Sequence, residues 1–547
     1  MIKMQFDKRA HAQAMRAQGF WRDITVENIL TRAVEKHPNK TALVSYRSET
    51  GSASPNKSLT YVELEEMVAR AAGALRGLGI KNGDIVALML PNWWEFVVAT
   101  YALSRLGAVT NPLMPIFRER ELRFMLKFSD TKAIIIPNEF RGFLYPPMLE
   151  ALKPELPNLE HVVVVDGDEN NGFEQTIINS SYPPVTSEQS VSAAADEISV
   201  LMYTSGTTGQ PKGVMHSWNT MLTCASSLAS RLSLTSKDVH MISAPFGHTT
   251  GYTAGILQSL LLGGKAVLQD IWKPDEGVNI MVTEGVTHMA ASTPFLSDIC
   301  RVVSTSNTKP SLKTFLCGGA PIPPVIIEDA LRLLNAKVCS LWGMTEALAG
   351  SLTAPEKSRD KSSTTDGRPL QGIELLIADE NHNPLGPGQT GRLFVRGASL
   401  FLGYYKQPEL ENIHLDGWFD TGDMAYMDEE GYIRINGRTK DIIIRGAENI
   451  PVAEIENLLY RHPDIVDATL VGYADARLGE RACAFVTLER GKKFDLSDLR
   501  LWMEKSGTAK QYWPEQVEVI DTMPRNPNGK VQKFILKKLA EKYTRPK

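Results

Sequence analysis

At 547 residues the chain exceeds one ordinary hydrophobic core and has room for two or three folding units. Its 43% hydrophobic and 22% charged residues, with a formal net charge of -4, describe an ordinary globular protein and argue against a nucleic-acid binder. The five cysteines, Cys224, Cys300, Cys317, Cys339 and Cys483, are scattered and form no C-x-x-C pair. Neither a disulfide framework nor a zinc site is therefore expected, and a reducing cytoplasm fits best.

The N-terminus carries Lys3, Lys8, Arg9 and Arg16 with no apolar run behind them, so no secretory signal is read there. Thr60-Tyr61-Val62-Glu63 is a capping-box pattern ahead of apolar Leu64, Met67, Ala71 and Leu75, which predicts a helix that ends near Gly79. An apolar run, Ile85 to Leu90, then leads into a predicted helix from Asn92 to Arg105. Pro91, Asn92, Glu95, Arg105 and Pro112 interrupt the stretch from Ile85 to Met114 and argue against a membrane span. Strand-like runs follow at Ala133 to Ile136 and Val162 to Val165, and such alternation favours parallel sheets covered by helices.

The pattern repeats from Ile198 to Leu341, with strands expected at Val200 to Tyr203, Lys265 to Leu268, Thr314 to Cys317 and Lys337 to Leu341. This is read as a second α/β unit. Short strands at Ile373 to Ile377 and Arg392 to Val395 suggest a small β subdomain. From Arg438 a compact α+β unit of about a hundred residues begins, within the usual domain range. It has a helix near Ala453 to Tyr460 and strands at Ala468 to Val471 and Cys483 to Leu488. The expected division is 1–437 and 438–547.

The densest chemical signal follows Tyr203, where Thr204, Ser205, Gly206, Thr207, Thr208, Gly209, Gln210, Pro211, Lys212 and Gly213 compose a phosphate-loop-like segment. Glycines admit backbone N–H groups to phosphate oxygens, the hydroxyls add donors and Lys212 adds charge. The Walker spacing fails at Pro211 and Gly213, and composition alone leaves a plain mobile connection about equally open. Taken singly, Thr345-Glu346 reads as a helix cap, Asp423 as turn chemistry and Lys530 as a solvated lysine.

The segment resembles the signature loop of the adenylate-forming enzymes: acyl-CoA synthetases, beetle luciferases and peptide-synthetase adenylation domains. Further matches follow in that family's order. They are Pro245-Phe246-Gly247-His248-Thr249-Thr250-Gly251, Gly318-Gly319-Ala320-Pro321, Trp342-Gly343-Met344-Thr345-Glu346, Trp418 to Asp423, Gly437 to Asp441, and Pro524 to Lys530. The resemblance runs from Thr25 to the C-terminus. It implies a large N-terminal domain of two α/β subdomains plus a small β subdomain, and a mobile α+β C-terminal domain.

The resemblance also implies roles. Thr345 would donate to the α-phosphate, Glu346 with Thr207 would hold Mg²⁺, Asp423 would accept from the ribose and Arg438 would contact ribose or phosphate. Gly319, Ala320 and Pro321 would pack on one adenine face, and Trp342, where the family commonly has Tyr, on the other. Gly343 and Met344 complete the nucleotide segment. Lys440 would be the hinge, and Lys530 would bridge the attacking carboxylate and the α-phosphate. His248, Gly318, Gly446 and Ala447 would line the acyl and coenzyme A path.

Two departures stand out: Ala447 where related synthetases usually have a second Gly, and Tyr512 where a Lys is usual. The implied reaction consumes ATP, coenzyme A and a carboxylic acid, with Mg²⁺, in a cytoplasmic monomer or homodimer without nucleic-acid partners or integral membrane segments. Pro245 to Leu257 holds no acidic residue to pair with an α-ammonium, which favours an uncharged acid. Arg16 to Trp21 and Phe246 to Gly251 look like bacterial short- to medium-chain fatty acid and cyclohexanecarboxylate synthetases. The rivals are an adenylating enzyme with another acceptor, and an inactive nucleotide-binding regulator that would have lost Thr345, Glu346, Asp423 or Lys530.

Overall fold

The computed structural model describes residues 7–48, 55–191, 194–204, 211–306, 308–319, 322–414, 416–438, 443–445, 448–450, 452–475, 478–506, 508, 510–525 and 531–544. The helix Tyr61–Gly77 begins where the capping box requires. Thr60 accepts from the Glu63 N–H, and the Glu63 carboxylate accepts from the Thr60 N–H in return. It stops at Leu78, after which Gly79 takes a left-handed φ of 79° and the chain turns back on itself. The next helix, Trp94–Arg105, is buried on every side, Glu95 and Arg105 included, which fits its lack of a polar face.

Two helix-covered sheets carry the N-terminal part. One runs Gly403–Tyr404, Lys212–His216, Val200–Thr204, Val109–Pro112, Ile85–Leu88, Ala133–Pro137, His161–Val165. The other runs Arg368–Pro369, Leu348–Leu352, Lys337–Met344, Thr314–Gly318, His288–Ala291, Val239–Ile242, Lys265–Gln269, Thr41–Tyr46, Lys57–Thr60. Its middle strands, from Lys337–Met344 to Thr41–Tyr46, are all parallel.

The sequence-based partition needs one correction. Val200–Thr204 belongs to the first sheet, where Val200 pairs with Thr110, and Thr41–Tyr46 belongs to the second. The chain interleaves the two units because pairing is decided by partners far away in sequence, which local periodicity cannot report. One continuous core, from Val26 through Trp342 to Ile433, binds both sheets to the small antiparallel sheet Ile373–Ala378, Gly391–Gly397, Phe419–Met427, Ile433–Arg438.

The last strand of the small sheet is Ile433–Arg438, and the next described strand is Ile443–Arg445. The strands Ile443–Arg445, Glu448–Ile450, Ile465–Asp475, Gly479–Leu488 and Gln516–Val519 form a separate sheet. Among the described residues, its two core clusters, around Ile455 and Leu499 and around Phe485 and Leu536, contain no residue of the N-terminal core. Among the described residues, no helix is long and apolar enough to cross a membrane. All five cysteines are buried and free.

Candidate active site

In open α/β sheets, ligands collect beyond the carboxyl ends of the strands. Three of the predicted motifs leave that edge of the second sheet. Ile242 leads to Pro245–Gly251, Gly318 to Gly319, and Met344 to Thr345 and Glu346. Gly319 has a φ of 87°, and the space its Cβ would enter is open, as suits backbone that a flat ligand approaches closely.

Thr345, Glu346 and Ala347 are the tip of a hairpin between Lys337–Met344 and Leu348–Leu352. His216 Nε2 lies 2.7 Å from the Thr345 carbonyl oxygen, and His216 Nδ1 lies 3.1 Å from Thr220 Oγ1. Tyr404 donates its hydroxyl to Glu346 Oε1 at 2.8 Å, and the Phe401 N–H donates to the Glu346 carbonyl at 2.8 Å. Burial and the Glu346 carboxylate both push the Tyr404 hydroxyl far above its ordinary range, so it stays a donor. Lys212 Nζ sits 4.5 Å from the centre of the Tyr404 ring, whose hydroxyl in turn reaches Glu346. Thr204 is the register partner of Lys212 in the first sheet.

Asp423 is buried and accepts from the Trp342 indole N–H at 2.9 Å, and its own N–H donates to Thr421 Oγ1 at 3.1 Å. The Trp342 ring lies against Gly350, where a methyl would stand 2.2 Å from it. Here the indole holds a carboxylate, a task its sequence context did not suggest. Arg438 is the register partner of Asp423 at the end of the small sheet.

The segment that follows Ile242 is held by Asn92, whose buried amide donates to the carbonyls of Ile242, Ala244 and Gln269 and accepts from the Phe246 N–H. It pins the segment Ser243 to Phe246 against the first sheet. Thr250–Leu257 then forms a buried π-helical turn, a form found often at functional sites. Gly251 is forced, since a methyl there would meet the Ala244 and Pro245 carbonyl oxygens at 2.3 Å. His248 is half-buried at the start of this turn, and its Nδ1 accepts from the Thr250 N–H at 3.2 Å.

Among the predicted residues, Lys212, whose register partner is Thr204, and Glu346 meet at Tyr404, Trp342 meets Asp423, and Gly318, Gly319, Gly343, Met344, Thr345 and His248 lie on strands and turns at the carboxyl edge of the second sheet. Ser205, Gly206, Thr207, Thr208, Ala320, Pro321, Lys440, Gly446, Ala447 and Lys530 lie outside the described residues. Tyr512 packs partly buried on the C-terminal core. The sequence reading missed Asn92, His216 and Tyr404. None sits in a local pattern of chemistry; only long-range pairing, such as Val214 with Tyr404, brings them to the site.

Burial lowers the His216 imidazole to about 4, against the opposing pull of its bond to Thr345. The ring is therefore neutral near pH 7, with the proton assigned to Nε2, which faces a carbonyl. A folded value below the unfolded 6.5 means that this contribution to stability is whole above pH 6.5 and is lost as pH falls toward about 4. At pH 5 the loss is about 2 kcal/mol. Glu95, raised to about 7 by burial, acts in the opposite sense in wild type and variant alike, so their difference isolates the histidine. A His216→Gln protein should lose less thermal stability between pH 8 and pH 5 than the wild type does. Equal losses in calorimetry would refute the assignment.

Known proteins resemble this chain over most of its length. The AMP-binding enzyme family matches residues 30–405, and the AMP-binding enzyme C-terminal domain matches residues 454–530. A medium-chain fatty-acid–CoA ligase of Escherichia coli K12 is 34% identical over 98% of this chain and 94% of its own. A salicyl-AMP ligase / salicyl-S-ArCP synthetase of Mycobacterium tuberculosis is 31% identical over 95% of this chain and 92% of its own. The solved o-succinylbenzoate coenzyme A synthetase of Bacillus subtilis, in complex with AMP, superposes with a TM-score of 0.78 at 27% identity, covering 93% of this chain and 98% of its own. The chain belongs to the AMP-binding enzyme family, as an AMP-forming ligase of the acyl-CoA synthetase superfamily.

Proposed function

We propose that this ligase joins an uncharged short- to medium-chain fatty or alicyclic acid to coenzyme A, through an acyl-adenylate. The observation that carries the substrate class is the segment Ser243 to Leu257. It leaves the nucleotide edge as a mostly buried turn with Phe246, Tyr252, Ile256 and Leu257 inside and no Asp, Glu, Lys or Arg. A charged tail would find no partner there, and leaving it unpaired would be costly. The E. coli relative's name points the same way.

In the first step the substrate carboxylate attacks the α-phosphorus of ATP and pyrophosphate leaves. Thr345 and Lys212 face the phosphates from the hairpin tip and the loop strand, Asp423 takes the ribose hydroxyls and Arg438 assists. Among the described residues no cluster of three or more His, Cys, Asp or Glu side chains could hold a metal. Glu346 offers a hard carboxylate donor with Oε1 tied to Tyr404, and such a lone carboxylate suits Mg²⁺, which is usually shared with phosphates and water. When bound, that ion would offset the charge of the triphosphate, with Thr207 as a second ligand.

In the second step the C-terminal domain, residues 438–547, turns about Lys440 relative to residues 1–437. Lys530 then withdraws, the segment holding Gly446 and Ala447 is presented, and the thiol attacks the mixed anhydride. Free buried cysteines fit a reducing cytoplasm. The test is pyrophosphate release from MgATP with acetate, hexanoate, decanoate, cyclohexanecarboxylate, benzoate or phenylalanine, each with and without coenzyme A. Multiple turnover with hexanoate, decanoate or cyclohexanecarboxylate only when coenzyme A is present is expected. Turnover with phenylalanine, or indifference to coenzyme A, would overturn the reading.

A further inference from the structure

The segment Lys8 to Asp23 precedes the matched family region, which begins at residue 30, yet it is firmly built. The helix Lys8–Ala17 is capped by Asp7, whose side chain accepts from the N–H groups of Arg9 and Ala10. Arg16 pairs with Asp23 at 2.8 Å and Asp196 at 2.6 Å, and Asn219 exchanges two hydrogen bonds with Asp23. Trp21, Met15 and Ala398 form a small buried cluster of their own.

Two of its side chains, Trp21 and Lys8, reach the segment Ala398 to Tyr404. The Trp21 indole N–H donates to the Ala398 carbonyl at 2.8 Å, and Lys8 Nζ donates to the Leu402 carbonyl at 2.6 Å. Lys8 also pairs with Glu411 at 3.2 Å, and Glu411 accepts from the Tyr404 N–H at 3.2 Å. Gly403, at a φ of 134°, leaves no room for a side chain between Glu411 and Lys8.

The other side of this same segment holds the hairpin tip. Ser399 Oγ donates to the Ala347 carbonyl at 3.1 Å, the Phe401 N–H to the Glu346 carbonyl, and the Tyr404 hydroxyl to the Glu346 carboxylate. A continuous path therefore runs from Lys8 through Glu411 and Tyr404 to Glu346. Displacing one end shifts the other, because each link is a directional bond within a packed segment.

We propose that Lys8 to Trp21 is a strap whose residues Lys8 and Trp21 position Glu346 for the triphosphate of ATP. They touch neither nucleotide nor acid; they fix the segment that aims the carboxylate. The proposal rests on the reading of Glu346 given above. It distinguishes ATP from AMP, since only the former carries the phosphates that Glu346 would serve.

The test compares Lys8→Met, Lys8→Arg and Glu346→Gln in the full chain, with dissociation constants for MgATP and for AMP from titration calorimetry and melting temperatures alongside. Lys8 is half exposed, so its replacement should leave the fold intact. Lys8→Met should weaken MgATP binding by about fivefold to tenfold while AMP binding and melting temperature stay as in the wild type. Lys8→Arg, which keeps the charged donor, should restore most of the affinity. Thioester formation from a preformed acyl-adenylate should be unaffected. If Glu346→Gln weakens MgATP binding and Lys8→Met does not, the strap proposal is wrong; if Glu346→Gln changes nothing, the reading of Glu346 fails first. Equal weakening of MgATP and AMP with a lowered melting temperature would mean general loosening and would also overturn it.

Discussion

Replacing Lys530 by alanine is expected to slow pyrophosphate release by about a hundredfold or more, while acyl transfer from a preformed acyl-adenylate to coenzyme A continues near the wild-type rate. The residues on either side of Lys530 give the reason for so local an effect. An antiparallel bridge joins Arg525 to Val531, and the Gln532 N–H donates to the Pro524 carbonyl, so the chain leaves and returns at one point. Arg525 is tied to Asp467 at 2.5 Å, and Lys533 to the buried Glu456 at 2.8 Å. These anchors lie on the strand Ile465–Asp475 and the helix Val452–Tyr460 of the C-terminal unit and do not depend on Lys530, so the alanine variant should fold and dock as before.

What the variant removes is one fixed positive charge, at the moment when charge moves from the attacking carboxylate to the departing pyrophosphate. A preorganised cation of this kind acts on the transition state of that step alone. The two half-reactions must therefore separate. Single-turnover measurements of each would decide it, and a parallel loss in both would show that Lys530 serves domain docking in place of chemistry.

How much of this was legible beforehand depends on the range of the interaction. The helix Tyr61–Gly77 was readable to within two residues, because its capping box and its glycine stop are local chemistry. The strand Thr314–Gly318 and the glycine after it were readable for the same reason. Membership of a sheet was not: nothing near Val200 announces Thr110 as its neighbour, and nothing near Tyr46 announces Gln269.

The site divides in the same way. Thr345, Glu346 and Asp423 stand in short motifs whose composition is unusual. Tyr404 lies on a two-residue edge strand, and His216 looks like any strand residue ahead of the Ser217 helix cap. Their roles arise from contacts that span 58 and 129 residues of chain, one to the Glu346 carboxylate and one to the Thr345 carbonyl. Trp342 is intermediate: its place in the motif was evident, but its bond to Asp423 exists only once the second sheet and the small sheet are packed together.

Gly343→Ala tests whether the hairpin tip is as constrained as these contacts imply. A methyl group at Gly343 would stand 2.1 Å from the Leu348 carbonyl oxygen and 3.2 Å from the Ala349 Cα, both on the paired strand. Backbone cannot swing aside as a side chain can. Leu348 is already in the left-handed region, at a φ of 58°, and the register shifts between Trp342 and Gly343, so the turn has little slack. The strand must therefore part by an amount on the order of 1 Å, which carries Thr345 and Glu346 away from His216 and Tyr404. A displacement of that size at a reacting centre costs about a hundredfold in rate. Gly318→Ala is the matched comparison, since its methyl would meet Leu341 at 3.0 Å, partly against a movable side chain, and should cost far less. Pyrophosphate release near the wild-type rate in the Gly343→Ala protein would mean that the tip adapts freely. The positions of Thr345 and Glu346 would then be set by bound nucleotide, and the contacts from His216 and Tyr404 would lose their claim to aim them.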